Sequence, residues 1–369
     1  MIVIRKDPIW EYKKMSKILI VGGTFDDNGG KPSSIVNKVY ETIFADGYDV
    51  TVYNGGYYND IQEILESTIN YKYVFWWANV PNDKEKLRNV KDINPKCILI
   101  TSKRNDDEKY GFAELINRAL ETKANLCVEF SKWNDMYNMK VFDPLGNLWY
   151  SGLNIMDMVR AVTSRMFFLA GVTRQGCLQA DGNVDIPDEQ EFFDIVKHYG
   201  DVFHDLIQPD NGVTRYLGNA TFRCQRGFPS FRNKKHIFVS QRNVDKRYID
   251  KEAFVPVKLN NNKLWYYGNN KPSVDTPIQT RLYALLPNIN YMIHAHVYIK
   301  DAPFTKHNIP CGGIEEVHEI MDVIRRDTKK DFYAINLIGH GCIVMAKNAS
   351  QLKNLNYIAR KMPERLVEE

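Results

Sequence analysis

Two histidines separated by one residue are the strongest chemical feature of this sequence of 369 residues. His294-Ala295-His296 lies within a run of strand-forming residues. Because side chains at i and i+2 point to the same face of a strand, the two imidazoles can converge on one metal ion. An isolated pair of this kind can also be two partly exposed strand histidines. All eight histidines lie at or beyond His198, so metal chemistry is predicted for the second half of the chain.

Several other motifs accompany this pair in order along the chain. They are Gly218-Asn219-Ala220-Thr221, Pro272-Ser273-Val274-Asp275, Leu286-Pro287 before the pair, Asn308-Ile309-Pro310 after it, and Leu337-Ile338-Gly339-His340-Gly341. This order resembles the class II aldolase/adducin family, over about residues 190–365. The family includes sugar-phosphate aldolases, epimerases and the non-catalytic adducins.

The resemblance implies that His294, His296 and His340 hold a metal ion. Three neutral imidazoles suit Zn²⁺ best, although the site can take another divalent metal. The implied reaction is a lyase reaction, the cleavage or formation of a C–C bond in a sugar phosphate or related ketose through a metal-stabilised enediolate. Asp275 matches the family's general acid/base, which is usually a glutamate. Alternatively, Asp275 only caps the helix that follows it.

A set of polar residues is implied to bind the anionic end of this small-molecule substrate. The set comprises Gly218, Asn219, Thr221 and Ser273. A neighbouring loop, Ser240-Gln241-Arg242-Asn243, lacks the family's glycine but contains Arg242. The Arg242 guanidinium either binds phosphate or carboxylate as a bidentate donor or is an ordinary surface group.

Two other functions stay open. One is a metal-dependent sugar-phosphate epimerase or dehydratase, which would keep the metal and change the reaction. The other is an adducin-like interaction protein, because adducin keeps this fold without the metal ligands. Retention of all three histidines favours an enzyme. The resemblance also implies a homo-oligomer.

The first half of the chain alternates short apolar runs with amphipathic stretches, a pattern typical of βαβ units. Strands are predicted at Lys17–Val21, Asp49–Tyr53, Tyr73–Trp77, Cys97–Ile100 and Leu126–Glu129. Helices are predicted near Ser33–Phe44, Asp60–Ile69, Asp83–Val90, Gly111–Thr122 and Ile155–Leu169. Buried strands joined by helices indicate a Rossmann-like or flavodoxin-like parallel sheet with helices on both faces.

A glycine-rich turn follows the first predicted strand and leads into a helix. Its candidate anion-binding residues are Gly23, Gly29, Gly30, Ser33 and Ser34. Glycines and hydroxyl groups at the start of a helix suit an anion such as a nucleotide or sugar phosphate. The spacing matches neither the dinucleotide-binding fingerprint nor the P-loop, so the alternative is a loop that only turns the chain.

The second half is predicted to form an α/β domain with a mainly antiparallel sheet. Its helices are predicted at Asp188–Ile207, Ile278–Leu286 and Glu315–Arg326, and its strands at Thr221–Cys224, His236–Ser240, Phe254–Leu259, Met292–His296 and Ala334–Ile338. Ala180–Asp188, rich in Asp, Gly, Asn and Pro, is the best linker. The predicted domains are therefore residues 1–180 and 188–369.

Composition narrows the class of protein. The net charge of +4 is small and the basic residues are scattered, so nucleic acid is not an expected partner. No apolar run approaches the ~20 residues of a membrane span. The six cysteines show no CxxC pair, which indicates reduced thiols and a cytoplasmic protein.

Overall fold

The computed structural model describes residues 17–79, 90–105, 112–134, 136–172, 176–207, 218–224, 236–261, 263–325 and 327–366. The chain divides into two compact units, residues 1–174 with 365–369, and residues 175–364. This division precedes the predicted linker at Ala180–Asp188. The reason is that the strand Leu178–Ala180 pairs with Lys263–Tyr267 in the sheet of the second unit. The division lies six residues before the predicted end of the first domain at residue 180.

The first unit is built on one long sheet and four described helices. The strands are β1 (Lys17–Asp26), β2 (Asp49–Tyr57), β3 (Tyr73–Asn79), β4 (Ile98–Asn105), β5 (Leu126–Trp133), β6 (Met136–Phe142) and β7 (Asn147–Gly152). The helices are α1 (Ser34–Ala45), α2 (Asp60–Ser67), α3 (Phe112–Thr122) and α4 (Ile155–Val172). The predicted helix Asp83–Val90 lies outside the described residues except for Val90.

The sheet order is β2-β1-β3-β4-β5-β6-β7, with the short strand β18 (Glu364–Arg365) at the edge. β1 to β5 are parallel, whereas β5, β6 and β7 pair antiparallel. The order 2-1-3-4-5 is that of flavodoxin-like folds. The predicted parallel sheet is thus confirmed, and the hairpin of β6 and β7 extends it.

Both faces of this sheet are buried, as parallel sheets require. Leu19 and Val21 pack on the face covered by α2 and α3. Ile18 and Ile20 pack on the opposite face, under α1 and α4. Alternation along β1 therefore supplies two cores, which explains why this strand is continuously apolar.

The described residues of the second unit form a second long sheet and three α-helices. Its strands are β8 (Leu178–Ala180), β9 (Asn219–Arg223), β10 (His236–Ser240), β11 (Phe254–Asn260), β12 (Lys263–Tyr267), β13 (Tyr291–Ala295), β15 (Phe332–Leu337) and β16 (Gly341–Ala346). The pair β14 (Tyr298–Ile299) and β17 (Tyr357–Ile358) is separate. The helices are α5 (Gln190–Leu206), α6 (Thr276–Leu285) and α7 (Glu316–Ile324).

This sheet runs β15-β16-β13-β9-β10-β11-β12-β8. Its pairs are antiparallel except for β12 with β8, so the predicted mainly antiparallel sheet is confirmed. One face packs on α5 and receives Ile293 and Ala295 of β13. The other face packs on α6 and α7 and receives Met292. By alternation, His294 belongs to the face of α6 and α7.

Among the described residues, every helix is too short or too polar to cross a lipid bilayer.

Candidate metal centre

Three buried imidazoles converge in the second unit. The exposed fractions of His294, His296 and His340 are 3%, 6% and 1%. Their ring centroids are 5.1 Å apart between His294 and His296, 4.6 Å between His294 and His340, and 5.1 Å between His296 and His340. One candidate ligand nitrogen from each ring lies within 4.8 Å of the other two. The structure thus brings together the three predicted metal ligands.

Pairing between β13 and β16 brings the third histidine to the first two. His294 lies opposite Ile343 and Ala295 lies opposite Cys342, so the turn before β16 passes beside the histidine strand. Gly341 makes this approach possible at a φ of 156°. A Cβ atom on Gly341 would lie 2.1 Å from the carbonyl oxygen of Ala295, which is too close for any other residue.

The two nitrogens of the His294 and His340 rings differ in what they contact. His294 Nδ1 donates to the Cys342 carbonyl at 2.8 Å, and His340 Nδ1 lies 2.7 Å from Glu316 Oε1. The Nε2 atoms of both rings are buried and make no hydrogen bond. A buried nitrogen without a partner is costly unless a ligand satisfies it. A carbonyl or carboxylate on the opposite nitrogen is the usual arrangement of a metal-bound histidine.

Electrostatics agree with a cation at the Nε2 atoms. Burial, reinforced by His340, lowers the pKa of His294 to about 4, which keeps this imidazole neutral. Burial alone would lower the pKa of His340 as well, but Glu316 outweighs it and raises that pKa well above its usual value. A metal ion would replace the proton that Glu316 otherwise retains on His340. The donor set therefore fits a divalent ion, with Zn²⁺ the best match.

Asp275 lies beside this centre. It is 5% exposed, and Oδ2 lies 3.9 Å from His294 Nε2. Oδ2 accepts hydrogen bonds from Asn219 Nδ2 at 2.8 Å and from Ser273 Oγ at 3.4 Å. Asp275 is the N-cap residue of α6, but its side chain makes no capping hydrogen bond. The alternative in which the carboxylate only caps that helix does not fit this geometry.

The residues predicted to bind the substrate's anionic end occupy different places. Asn219 is buried, and its amide contacts Ser273, Asp275 and Gln279, so it orients the carboxylate. Thr221 lies two residues further along β9 and is fully buried, with its hydroxyl 2.7 Å from the Tyr283 hydroxyl. Thr221 therefore holds α6 against the sheet and has no hydroxyl available to a ligand.

Gly218 has a φ of 82°, and an added Cβ would lie 2.6 Å from the His294 carbonyl oxygen. Gly218 therefore allows the chain before β9 to approach β13 closely. The Arg242 side chain is exposed. The Arg242 backbone N–H donates to the Lys271 carbonyl at 2.8 Å, so this loop lies next to the segment that contains Ser273. Asn243, the next residue, has a φ of 62°. It therefore adopts the left-handed backbone conformation that favours glycine, the residue that the related family has in this loop.

Three further side chains lie at the centre and were not predicted from the sequence: Glu316, Cys311 and Lys246. Glu316 is the first residue of α7 and is 4% exposed. Cys311 Sγ lies 3.3 Å from Asp275 Oδ1. Burial lowers the pKa of Lys246 to about 8, with Asp245 and Asp275 acting in the opposite direction. No local signal marks these residues, since each reaches the centre through tertiary packing.

The predicted anion site of the first unit is closed by internal contacts. Ser33 donates its N–H to Asn54 Oδ1 at 2.8 Å, and its hydroxyl caps α1 by accepting from Val36 N. A Cβ on Gly30 would lie 1.8 Å from the Thr24 carbonyl oxygen, and one on Gly23 would lie 2.5 Å from a backbone nitrogen. Gly29 has a positive φ, and Ser34 is exposed at the start of α1. These contacts favour the alternative of a loop that only turns the chain.

A family model matches part of the second unit. Residues 203–299 match the family described as Class II Aldolase and Adducin N-terminal domain. The resemblance stated from the sequence is confirmed over these residues, which lie in the second unit. No curated protein matches the chain.

Solved structures similar to parts of the chain fall into two groups. An L-fuculose 1-phosphate aldolase is 17% identical over 44% of this chain and 78% of its own, with a TM-score of 0.32. An aldolase II superfamily protein from Pseudomonas syringae is 14% identical over 45% and 70%, with a TM-score of 0.29. A DNA/pantothenate metabolism flavoprotein from Streptococcus pneumoniae is 12% identical over 41% and 98%, with a TM-score of 0.34.

Proposed function

We propose that this protein is a metal-dependent lyase, in which His294, His296 and His340 hold Zn²⁺ or another divalent ion. The substrate is a sugar phosphate or related ketose, in which a C–C bond is cleaved or formed. The observation that carries the proposal is the pair of buried Nε2 atoms, on His294 and His340, that make no hydrogen bond. A non-catalytic, adducin-like role would leave these two groups buried without compensation.

A bound divalent ion would supply Lewis-acid stabilisation of negative charge on a substrate oxygen. The chain's own contribution is proton transfer and orientation. Asp275 accepts or returns the substrate proton through its carboxylate, and Asn219 and Ser273 fix that carboxylate by hydrogen bonds to Oδ2. Burial by α6 and α7 keeps bulk water away from the carboxylate, which strengthens electrostatic interactions at the site.

The second part of the proposal concerns the residue that binds the substrate's anionic end. Arg242 is the best candidate, because it is exposed on the loop beside Ser273. A planar guanidinium can bind phosphate through two parallel hydrogen bonds. Replacing Arg242 by Gln should therefore raise the KM for a phosphorylated substrate more than it lowers kcat.

Metal analysis tests the proposal directly. Purified wild-type protein should contain one equivalent of zinc or a related divalent ion, and His294→Ala should contain much less. His198→Ala is the matched control, since His198 is exposed on α5 in the same unit. A wild-type protein that cannot be loaded with any divalent ion would contradict the proposal.

Product analysis separates the reactions that one metal site can support. Incubation with ketose phosphates should release an aldehyde product if the protein is an aldolase. An epimerase would interconvert ketose phosphates without cleavage, and a dehydratase would release water and leave the carbon chain intact. Asp275→Asn should abolish each of these reactions while zinc content persists, because it removes the proton acceptor.

A further inference from the structure

A second group of potential metal ligands shares His340 with the histidine triad. It consists of Asp275, Cys311 and His340, whose candidate ligand atoms all lie within 4.8 Å of one another. We propose that Cys311 is a further ligand of the same divalent ion, bound through its thiolate. This inference rests on the proposed metal centre and adds sulfur to its donor set.

The loop before α7 fixes the position of the sulfur. Cys311 directly follows Pro310, and a turn closes behind it, with Gly313 N donating to the Pro310 carbonyl at 2.8 Å. Glu316 N then donates to the Gly313 carbonyl at 3.1 Å, which begins α7. One short segment therefore places both Cys311 and the carboxylate that contacts His340 at the centre.

The groups around the sulfur are suited to a metal ion. Cys311 Sγ lies 3.3 Å from Asp275 Oδ1, so the thiol proton points at a carboxylate. On ligation the S–H bond breaks, and the electron pair stays on sulfur and binds the ion. The proton passes by way of Asp275 to bulk water, which leaves the Asp275 carboxylate ionised for its role toward the substrate.

The buried nitrogens provide independent support for an ion at this position. His294 Nε2 and His340 Nε2 are buried without a hydrogen bond, and His340 belongs to both ligand groups. An ion bound by the triad would share His340 with the second group, and the Cys311 sulfur can turn toward that ion about the single side-chain dihedral of cysteine. Three imidazoles leave the fourth tetrahedral position open, and zinc can still accept a substrate oxygen as a fifth ligand.

Cobalt substitution in the full chain tests this inference without relying on activity. Co²⁺ bound to wild-type protein should show a sulfur-to-cobalt charge-transfer absorption in the near ultraviolet, and Cys311→Ser should lack it. Chelator competition should show that Cys311→Ser binds zinc about 10–100-fold more weakly, a range that outer-shell partners of metal ligands already reach. Cys224→Ser is the matched control, a partly buried cysteine of the same unit, and should keep both properties.

The outcomes separate this inference from the metal centre itself. If the wild type binds Co²⁺ without the sulfur band, or if Cys311→Ser keeps the band, Cys311 is not a ligand and the triad stands. If the wild type binds no ion, both proposals fail. Circular dichroism checks that the serine variants fold. If Cys311→Ser does not fold, the presence or absence of the sulfur-to-cobalt band in the wild-type spectrum still tests the inference.

Discussion

The proposed metal centre of the second unit and the glycine-rich turn of the first unit differ in whether their buried polar groups have hydrogen-bond partners. In the turn, the Ser33 N–H, its hydroxyl and the Gly30 N–H all have partners within the unit. In the centre, two buried imidazole nitrogens have none. Both regions carry residues typical of ligand sites. The difference suggests a criterion for a ligand site, namely that buried ligand atoms without a hydrogen bond converge on one point, as His294 Nε2 and His340 Nε2 do.

The largest expected effect comes from glycines at close backbone approaches, one in each region. Gly341→Ala and Gly30→Ala should each lower the free energy of unfolding by about 3 kcal/mol or more, the upper end of the cost of overpacking. In both cases the new Cβ would clash with a backbone carbonyl oxygen, of Ala295 and Thr24 respectively. Denaturant unfolding measures this loss.

The two variants should differ in metal content. Gly341→Ala should lose zinc, because it pushes the His340 turn away from the histidine strand. Gly30→Ala should retain one equivalent per folded chain, because it alters only the turn of the first unit. Loss of zinc in Gly30→Ala, or full zinc in Gly341→Ala, would contradict the assignment of metal binding to the second unit alone.

Glu316→Gln should have the next largest effect. Glutamine preserves the shape of the side chain but removes the negative charge that contacts His340 Nδ1 at 2.7 Å. Loss of such an outer carboxylate typically weakens metal binding by about 10–100-fold. Chelator competition followed by metal analysis measures this change.

Glu315→Gln is the control for this prediction, because Glu315 is the adjacent exposed carboxylate and should bind zinc like the wild type. Equal zinc affinity in Glu316→Gln and wild type would show that Glu316 is structural and does not act through His340.

The parts of this site that were predictable from sequence are those encoded locally. The i, i+2 spacing placed His294 and His296 on one face, and the motif order brought in His340 and Asp275. Glu316 reaches His340 across 24 residues because α7 packs beside the turn before β16. Sequence spacing cannot reveal that contact. Thr221 shares a strand face with Asn219, but its hydroxyl contacts the Tyr283 hydroxyl instead of the centre. The reason is that Thr221 lies one strand repeat further along β9, where the side chain is buried between the sheet and α6.

In the fold, too, the elements that could be predicted are those with a clear local pattern in the sequence. The parallel strands of the first unit are short apolar runs between helices, and all five were predicted. The hairpin of β6 and β7 was missed because its residues, such as Lys140 and Tyr150, are mixed in polarity. β16 was missed for the opposite reason. All six of its residues are buried, so it has no alternation to detect.

Ser33→Ala tests the glycine-rich turn of the first unit and should have a smaller effect on the free energy of unfolding. Its hydroxyl accepts the Val36 N–H at the start of α1, and removing such a cap costs about 1 kcal/mol. Ser34→Ala, which changes an exposed neighbouring residue, should be nearly neutral. Thermal unfolding with and without inorganic phosphate measures both properties. If phosphate stabilises the wild type more than Ser33→Ala, the turn binds anions and the comparison fails.

The smallest expected effect concerns His307, a histidine of the second unit away from the triad. Its Nδ1 lies 2.8 Å from Glu319 Oε1, and the Lys306 and His307 N–H groups donate to Oε2. Burial alone would raise the pKa of Glu319, but these contacts outweigh it and lower that pKa. The contribution to stability is therefore present above the unfolded pKa of about 4.3 and is lost as pH falls through the folded value.

Glu319→Gln should accordingly lower the free energy of unfolding by at most about 1 kcal/mol at neutral pH, because the pair is partly exposed to water. The difference from wild type should begin to shrink as the pH falls below about 4.3, the unfolded pKa, and should vanish once the pH has fallen through the lower folded pKa of Glu319. Asp322→Asn, at an exposed carboxylate of the same helix, should show no such trend. Zinc content should not change in either variant. A loss of zinc in Glu319→Gln would mean that His307 belongs with the metal centre, and that internal pairing does not separate satisfied histidines from ligands.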